Sequence, residues 1–226
     1  MRSTFVLVVT ALLLSASVAR PASSVIAPKD SRVSIQSVGV FFDFEDRPAQ
    51  LAIDTMEQEV ASIMHPAGLT FAWRELNSSQ GQGSFADLVV VKFKGSCNGV
   101  APQMPEPFSF NEETPLASTR TSNGQVLHFT DVYCNELRRY LSPEATPLNE
   151  KGRELLYGRA LGRIVSHEMW HILAGTEKHA SNGVARACHS RQELVQPVFL
   201  FDPREEEVLR QYAMRALVSK EANPEP

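Results

Sequence analysis

The sequence predicts an α+β fold: about five strands in one sheet, a helix near the start of the domain, and a long buried helix late in the chain. Three observations predict it. Short runs rich in β-branched and aromatic residues recur through the first two thirds of the chain. Other segments repeat apolar residues every three or four positions, the period of a helix with one buried face. The length, 226 residues, suits a single sizeable core once a leader is set aside.

Residues 1–19 read as a secretory signal. Arg2 supplies a short positive region, Phe5 to Leu14 is apolar, and Ser17-Val18-Ala19 ends in small residues. The apolar run is too short to span about 30 Å of hydrocarbon, and no other stretch approaches that length, so stable membrane insertion is not expected. Residues 20–31 read as a loose leader, 32–218 as one domain and 219–226 as a flexible tail. The expected location is therefore outside the cytoplasm, secreted or periplasmic.

The first strand is expected over 32–44 (RVSIQSVGVFFDF). A helix follows from near Pro48 to His65, with Leu51, Ile53, Met56, Val60, Ile63 and Met64 on one face. Pro66-Ala67-Gly68 breaks it. LTFAWREL (69–76) is the next strand, NSSQGQGS a loop, and ADLVVVKFK (86–94) a strongly apolar strand expected at the sheet centre. Residues 95–115, rich in Gly, Pro and Asn, read as a long irregular loop. Residues 116–133 read as two short strands around Asn123-Gly124, with His128 on a strand face. A helix in two pieces is expected near 135–141 and 149–174, interrupted by Pro143 and Pro147, and stopped by Gly175. Asp202-Pro203-Arg204-Glu205 opens a last helix, in which Met214 is expected to pack.

The long helix carries the chemistry. Its end reads RIVSHEMWHILAG and contains H-E-x-x-H: His167, Glu168 and His171. Positions i and i+4 share a helix face, so both imidazoles can reach one metal ion, here expected to be Zn²⁺. Glu168 projects beside them, placed to take a proton as general base. A buried helix cannot carry these groups without partners, because an unpaired buried charge is costly. Four of the six histidines fall between 167 and 189.

The order of elements and this motif resemble the metzincin clan of zinc metallopeptidases, whose pattern is H-E-x-x-H-x-x-G-x-x-H. Here His167, Glu168, His171, Gly175 and His179 occur in that order. Gly175 comes one residue later than the pattern has it and His179 two. The resemblance implies a twisted mixed sheet packed on the N-terminal and motif helices. It also implies His179 as third metal ligand and an extended substrate along an edge strand, for which Leu116 to Arg120 is the candidate. The rivals for third ligand are Glu193, since thermolysin-like zincins use a glutamate on a later helix, and His189. No methionine follows the third histidine as the clan pattern has it; Asn182-Gly183-Val184 is the candidate for the corresponding turn.

Cys97, Cys134 and Cys188 are the only cysteines. Cys97 and Cys134 each sit just past a strand, and an oxidising compartment would join them. Cys188 is expected as a small buried residue, with a thiolate ligand as the sharper alternative. Asn77-Ser78-Ser79 fits a glycosylation acceptor in a eukaryotic secretory route.

The formal charge is −4, and −5 once Arg2 leaves with the signal. With no basic run or patch, nucleic acid is not an expected partner. A peptide or protein substrate is. The expectation is a secreted zinc-dependent metallopeptidase; the alternatives are a secreted zinc-binding protein without turnover, or a zinc amidase or esterase. A structural site needs no base, so Glu168 favours catalysis.

Overall fold

In the computed structural model, residues 37–77, 85–98 and 115–221 are described, with side chains from 38 to 216. They belong to the unit Ile35–Pro226. The signal and leader, most of the 95–115 loop, the serines of the Asn77 acceptor and residues 222–226 lie outside them.

Five strands form one mixed sheet. They are β1 (Ser37–Asp46), β2 (Thr70–Glu75), β3 (Asp87–Ser96), β4 (Ala117–Ser122) and β5 (Gln125–Tyr133), ordered β2-β1-β3-β5-β4. The first four in that order run parallel; β4 alone is antiparallel, at the edge. The hairpin β4–β5 turns at Asn123 (φ 52°) and Gly124 (φ 74°), the left-handed pair that a two-residue turn requires. β3 is central, as expected. Val89, Val91 and Phe93 are wholly buried, whereas Leu88 is 49% exposed. The apolar run is thus buried on one face, with Leu88 and Phe129 left open on the sheet.

Helix α1 (Gln50–Met64) buries Ala52, Ile53, Met56, Val60, Ile63 and Met64. It begins two residues after Pro48, and Gly68 ends the short 3₁₀ turn that follows it, at φ 78°. Helix α2 (Cys134–Ala145) runs through Pro143 instead of stopping before it. Proline within two residues of a helix end removes one donor only, and Thr146 N–H still closes on Ser142 O at 3.0 Å.

Helix α3 (Glu150–Ala174) is the long buried one. The Asn149 carboxamide oxygen accepts from Gly152 N–H at 2.8 Å at its start, and Gly175 closes it at φ 61°. Two glycines let α1 lie directly on it. A Cβ at Gly158 would fall 2.4 Å from Ala52 O, and one at Gly162 would fall 2.8 Å from Met56 O. Both obstacles are backbone and cannot swing aside. Alanine elsewhere in a helix interior gains on glycine. Here Gly158→Ala is expected to lower stability by about 1–3 kcal/mol through overpacking, read as a lower urea midpoint at unchanged slope; an unchanged or higher midpoint would show that α1 can move away at no cost.

Two shorter pieces complete the fold: α4 (Arg191–Val195), absent from the element order expected above, and α5 (Pro203–Glu221). Leu209 is fully buried on α5, but Met214 is 60% exposed, contrary to expectation. With the buried stripe passing through Leu209, Tyr212 and Ala213, residue 214 falls off it.

Cys97 and Cys134 form a disulfide, as expected, with Cα atoms 4.9 Å apart. Each is the first residue after one of two adjacent parallel strands, β3 and β5, whose last registered pair is Lys94–Tyr133. That placement brings the thiols side by side. Both residues are fully buried. No helix among the described residues is long and apolar enough to cross a membrane.

Candidate metal centre

The end of α3 sits under the sheet edge, so His167, Glu168 and His171 are all buried, at 6–7% exposure. Each histidine is fixed by a backbone carbonyl. Gly175, in its left-handed cap, returns the chain so that Thr176 N–H reaches His171 O at 3.0 Å. Thr176 O then accepts from His171 Nδ1–H at 2.7 Å. On the other side, Gly183 (φ 66°) lets the 180–185 loop close, with Ala180 N–H on Ala185 O at 2.8 Å. Val184 N–H bonds Leu200 O at 3.1 Å, and Val184 O accepts from His167 Nδ1–H at 2.8 Å. A Cβ at residue 183 would lie 2.6 Å from Leu200 O, so the glycine is required for the close approach as well as the turn.

These bonds fix the tautomers. A carbonyl only accepts, so both Nδ1 atoms carry the proton and both Nε2 atoms present lone pairs. The two Nε2 atoms face each other 3.1 Å apart. Two lone pairs at that distance repel. Protonating His167 is not the relief, because burial holds its imidazole down to about 3. A cation shared by the two nitrogens would relieve it. Two imidazole nitrogens on one tetrahedral zinc, at about 2.05 Å each, stand roughly 3.3 Å apart, close to the spacing seen.

His179 joins them. The loop that carries it is pinned where Trp170 Nε1–H meets Lys178 O at 3.3 Å and Lys178 N–H meets Thr176 Oγ1 at 3.1 Å. The exposed His179 ring lies 5.3 Å from that of His167 and 4.7 Å from that of His171. Ligand atoms of the three histidines all lie within 4.8 Å of one another, an arrangement that can hold a metal ion. Burial, then the nearby His171, lowers the His179 pKa, a shift toward the neutral imidazole that a ligand must be.

The rivals are engaged elsewhere. Glu193 caps α4, accepting from Ser190 N–H at 2.7 Å and pairing with Arg186. Burial pushes its carboxyl up, but the Ser190 bonds and Arg186 outweigh that and leave its pKa lowered. His189 donates from Nε2 to Val184 O at 3.1 Å, sharing that acceptor with His167. Cys188 is free and exposed, against the expectation of a small buried residue, and it is not among the clustered ligand atoms.

Glu168 has partners that sequence reasoning missed. Thr119 on β4 donates its hydroxyl to Oε2 at 2.6 Å, and the Thr130 hydroxyl on β5 lies 3.5 Å from the same oxygen. Burial raises the Glu168 pKa, opposed by the Thr119 hydroxyl and by His171. The carboxyl is therefore moved toward neutrality while its orientation is held. A carboxyl so placed can accept and return a proton.

The three histidines and Glu168 line a cavity of about 1180 Å³, which also reaches Leu116, the start of β4 at Ala117 to Thr119, Tyr140 on α2 and the 186–191 segment. Compared with known proteins, the chain matches no family model, no curated protein and no solved structure.

Proposed function

We propose that the protein is a secreted zinc-dependent metallopeptidase of the metzincin type. One observation carries the reading: two imidazoles with Nε2 lone pairs turned on each other at 3.1 Å, lining a large cavity, with a buried glutamate between them in sequence. His167, His171 and His179 would hold the ion. Zinc held there supplies a Lewis acid and lowers the pKa of a water toward about 7.

The chain's own groups do the rest. Val184 O and Thr176 O hold two imidazoles in the tautomer that leaves Nε2 open. Thr119 holds the Glu168 carboxyl against β4. Glu168 takes a proton from a water as the water oxygen adds to a peptide carbonyl, and returns it to the amine as the C–N bond breaks. β4, the edge strand among the described residues, lines the cavity and offers main-chain partners to an extended peptide.

The alternative of a zinc site without turnover is disfavoured by the cavity, since structural zinc sites are closed by four protein ligands. Purified protein prepared without chelator is expected to carry about one zinc per chain by elemental analysis, and to cleave members of a mixed peptide library. Protein free of any stoichiometric transition metal, with His167 and His171 intact, would overturn the reading. Zinc-loaded protein that cleaves only amide or ester model compounds would move it to a non-peptide substrate.

A further inference from the structure

The cavity that holds Glu168 is lined by apolar side chains and by charges of both signs, Glu177 among them. Ile164 lies one turn before His167 on α3, and Leu116 and Tyr140 face the same space. Two arginines line it, Arg186 and Arg191. They differ in what they already hold. Arg186 is neutralised by Glu193 and also donates to Cys188 O at 2.6 Å. Arg191 is exposed and has no carboxylate partner among the described residues; its guanidinium lies 5.7 Å from the centre of the Tyr140 ring.

An aromatic face under a guanidinium limits its rotamers and leaves the donor edge free, the arrangement that suits bidentate carboxylate recognition. Tyr140 is itself held, its hydroxyl donating to His189 O at 2.9 Å, so the platform is tied to the segment that carries Arg191. An aliphatic stem ending in a carboxylate matches both parts: the stem against Ile164 and Leu116, the charge at Arg191.

We propose that Arg191 makes this cleft select peptides carrying a carboxylate near the bond that is cut, on an acidic side chain or at a free C-terminus. The inference rests on the peptidase reading for what happens to the bound peptide, but not for the binding itself. Arg191 acts as a specificity residue and takes no part in the chemistry.

The test uses zinc-saturated full-length protein and short peptides in which Glu, Gln or Lys is moved through each position, every peptide made with a free and an amidated C-terminus. Binding is measured in the Glu168→Gln background, where turnover is slowed at least about a hundredfold, and kcat/KM in the wild type. The expected result is a preference of at least about tenfold for a carboxylate over its amide at one position, the scale of a charge-assisted hydrogen bond. That ratio should fall to about one in Arg191→Gln and turn toward Lys in Arg191→Glu. It should persist in Arg204→Gln, on α5. Preference for Glu at an internal position assigns the carboxylate to a side chain; preference confined to the free C-terminus assigns it to the chain end. Equal binding of acid and amide peptides, or a preference that survives Arg191→Gln, overturns the proposal even if cleavage is seen. A carboxylate preference lost in Arg191→Gln without any cleavage sustains it and overturns the peptidase reading instead.

Discussion

Glu168→Gln is expected to keep zinc and fold while lowering peptide hydrolysis by at least about a hundredfold. The scale is the low end of what a positioned acid–base group contributes, roughly 10²–10⁴. Glutamine matches glutamate in size, and its amide oxygen can still accept the Thr119 hydroxyl that now meets Oε2 at 2.6 Å. The buried side chain therefore keeps an anchor, and the hydrogen bonds that hold the His167 and His171 rings go to Val184 O and Thr176 O, not to Glu168. What glutamine cannot do is accept a proton at the operating pH. Elemental analysis, a thermal melt and kcat/KM on a responsive peptide separate the three quantities. Cleavage equal to wild type would place the base elsewhere. Loss of zinc together with activity would make Glu168 a structural member of the site and remove its assignment as base.

The helical half of this arrangement was legible because its signals are local. The stripe through Ile164 and the stop at Gly175 are read from neighbours in sequence, and the helical period puts His167 and His171 on one face. The hairpin at Asn123-Gly124 was legible for the same reason. So was the Cys97–Cys134 pair, each cysteine just past a strand, although the adjacency of those two strands is visible only in the fold.

What was not legible depends on distance along the chain. Thr119 meets Glu168 across 49 residues, and Thr130 across 38. Only the strand order, with β4 folded back as the edge beside β5, brings those hydroxyls over α3. No spacing rule announces that. Two other misses were avoidable. Ser190-x-x-Glu193 is a capping-box pattern, and it starts α4 as the pattern says it should. Met214 lies off the stripe defined by Leu209 and Tyr212, which already argues for exposure. The role of Arg163 shows the limit from the other side. A fully buried guanidinium in the middle of an apolar helix looks like an error in the pattern, until Glu59 Oε1 at 2.7 Å and the carbonyls of Glu193 and Gln196, each at 2.6 Å, supply its partners.

His179→Ala is expected to weaken zinc binding by more than about a hundredfold, the upper end of the loss seen when only an outer partner of a metal ligand is removed. Glu193→Ala is expected to leave zinc affinity nearly unchanged. The two-residue lengthening between His171 and the third histidine is what makes this comparison decisive. It would misplace His179 if the loop were slack, but the loop is pinned at Thr176 and Lys178, and it returns the imidazole to within 4.8 Å of the other ligand atoms. Glu193 is committed to Ser190 and Arg186. Its removal costs α4 a cap, about 1 kcal/mol of stability, which appears in a melt and not in a metal titration. Competition with a zinc chelator of known affinity measures both variants on one scale. If Glu193→Ala strips the metal and His179→Ala leaves it bound, the third ligand comes from α4. The centre is then of the thermolysin kind, and the resemblance to metzincins ends at the five residues of the motif.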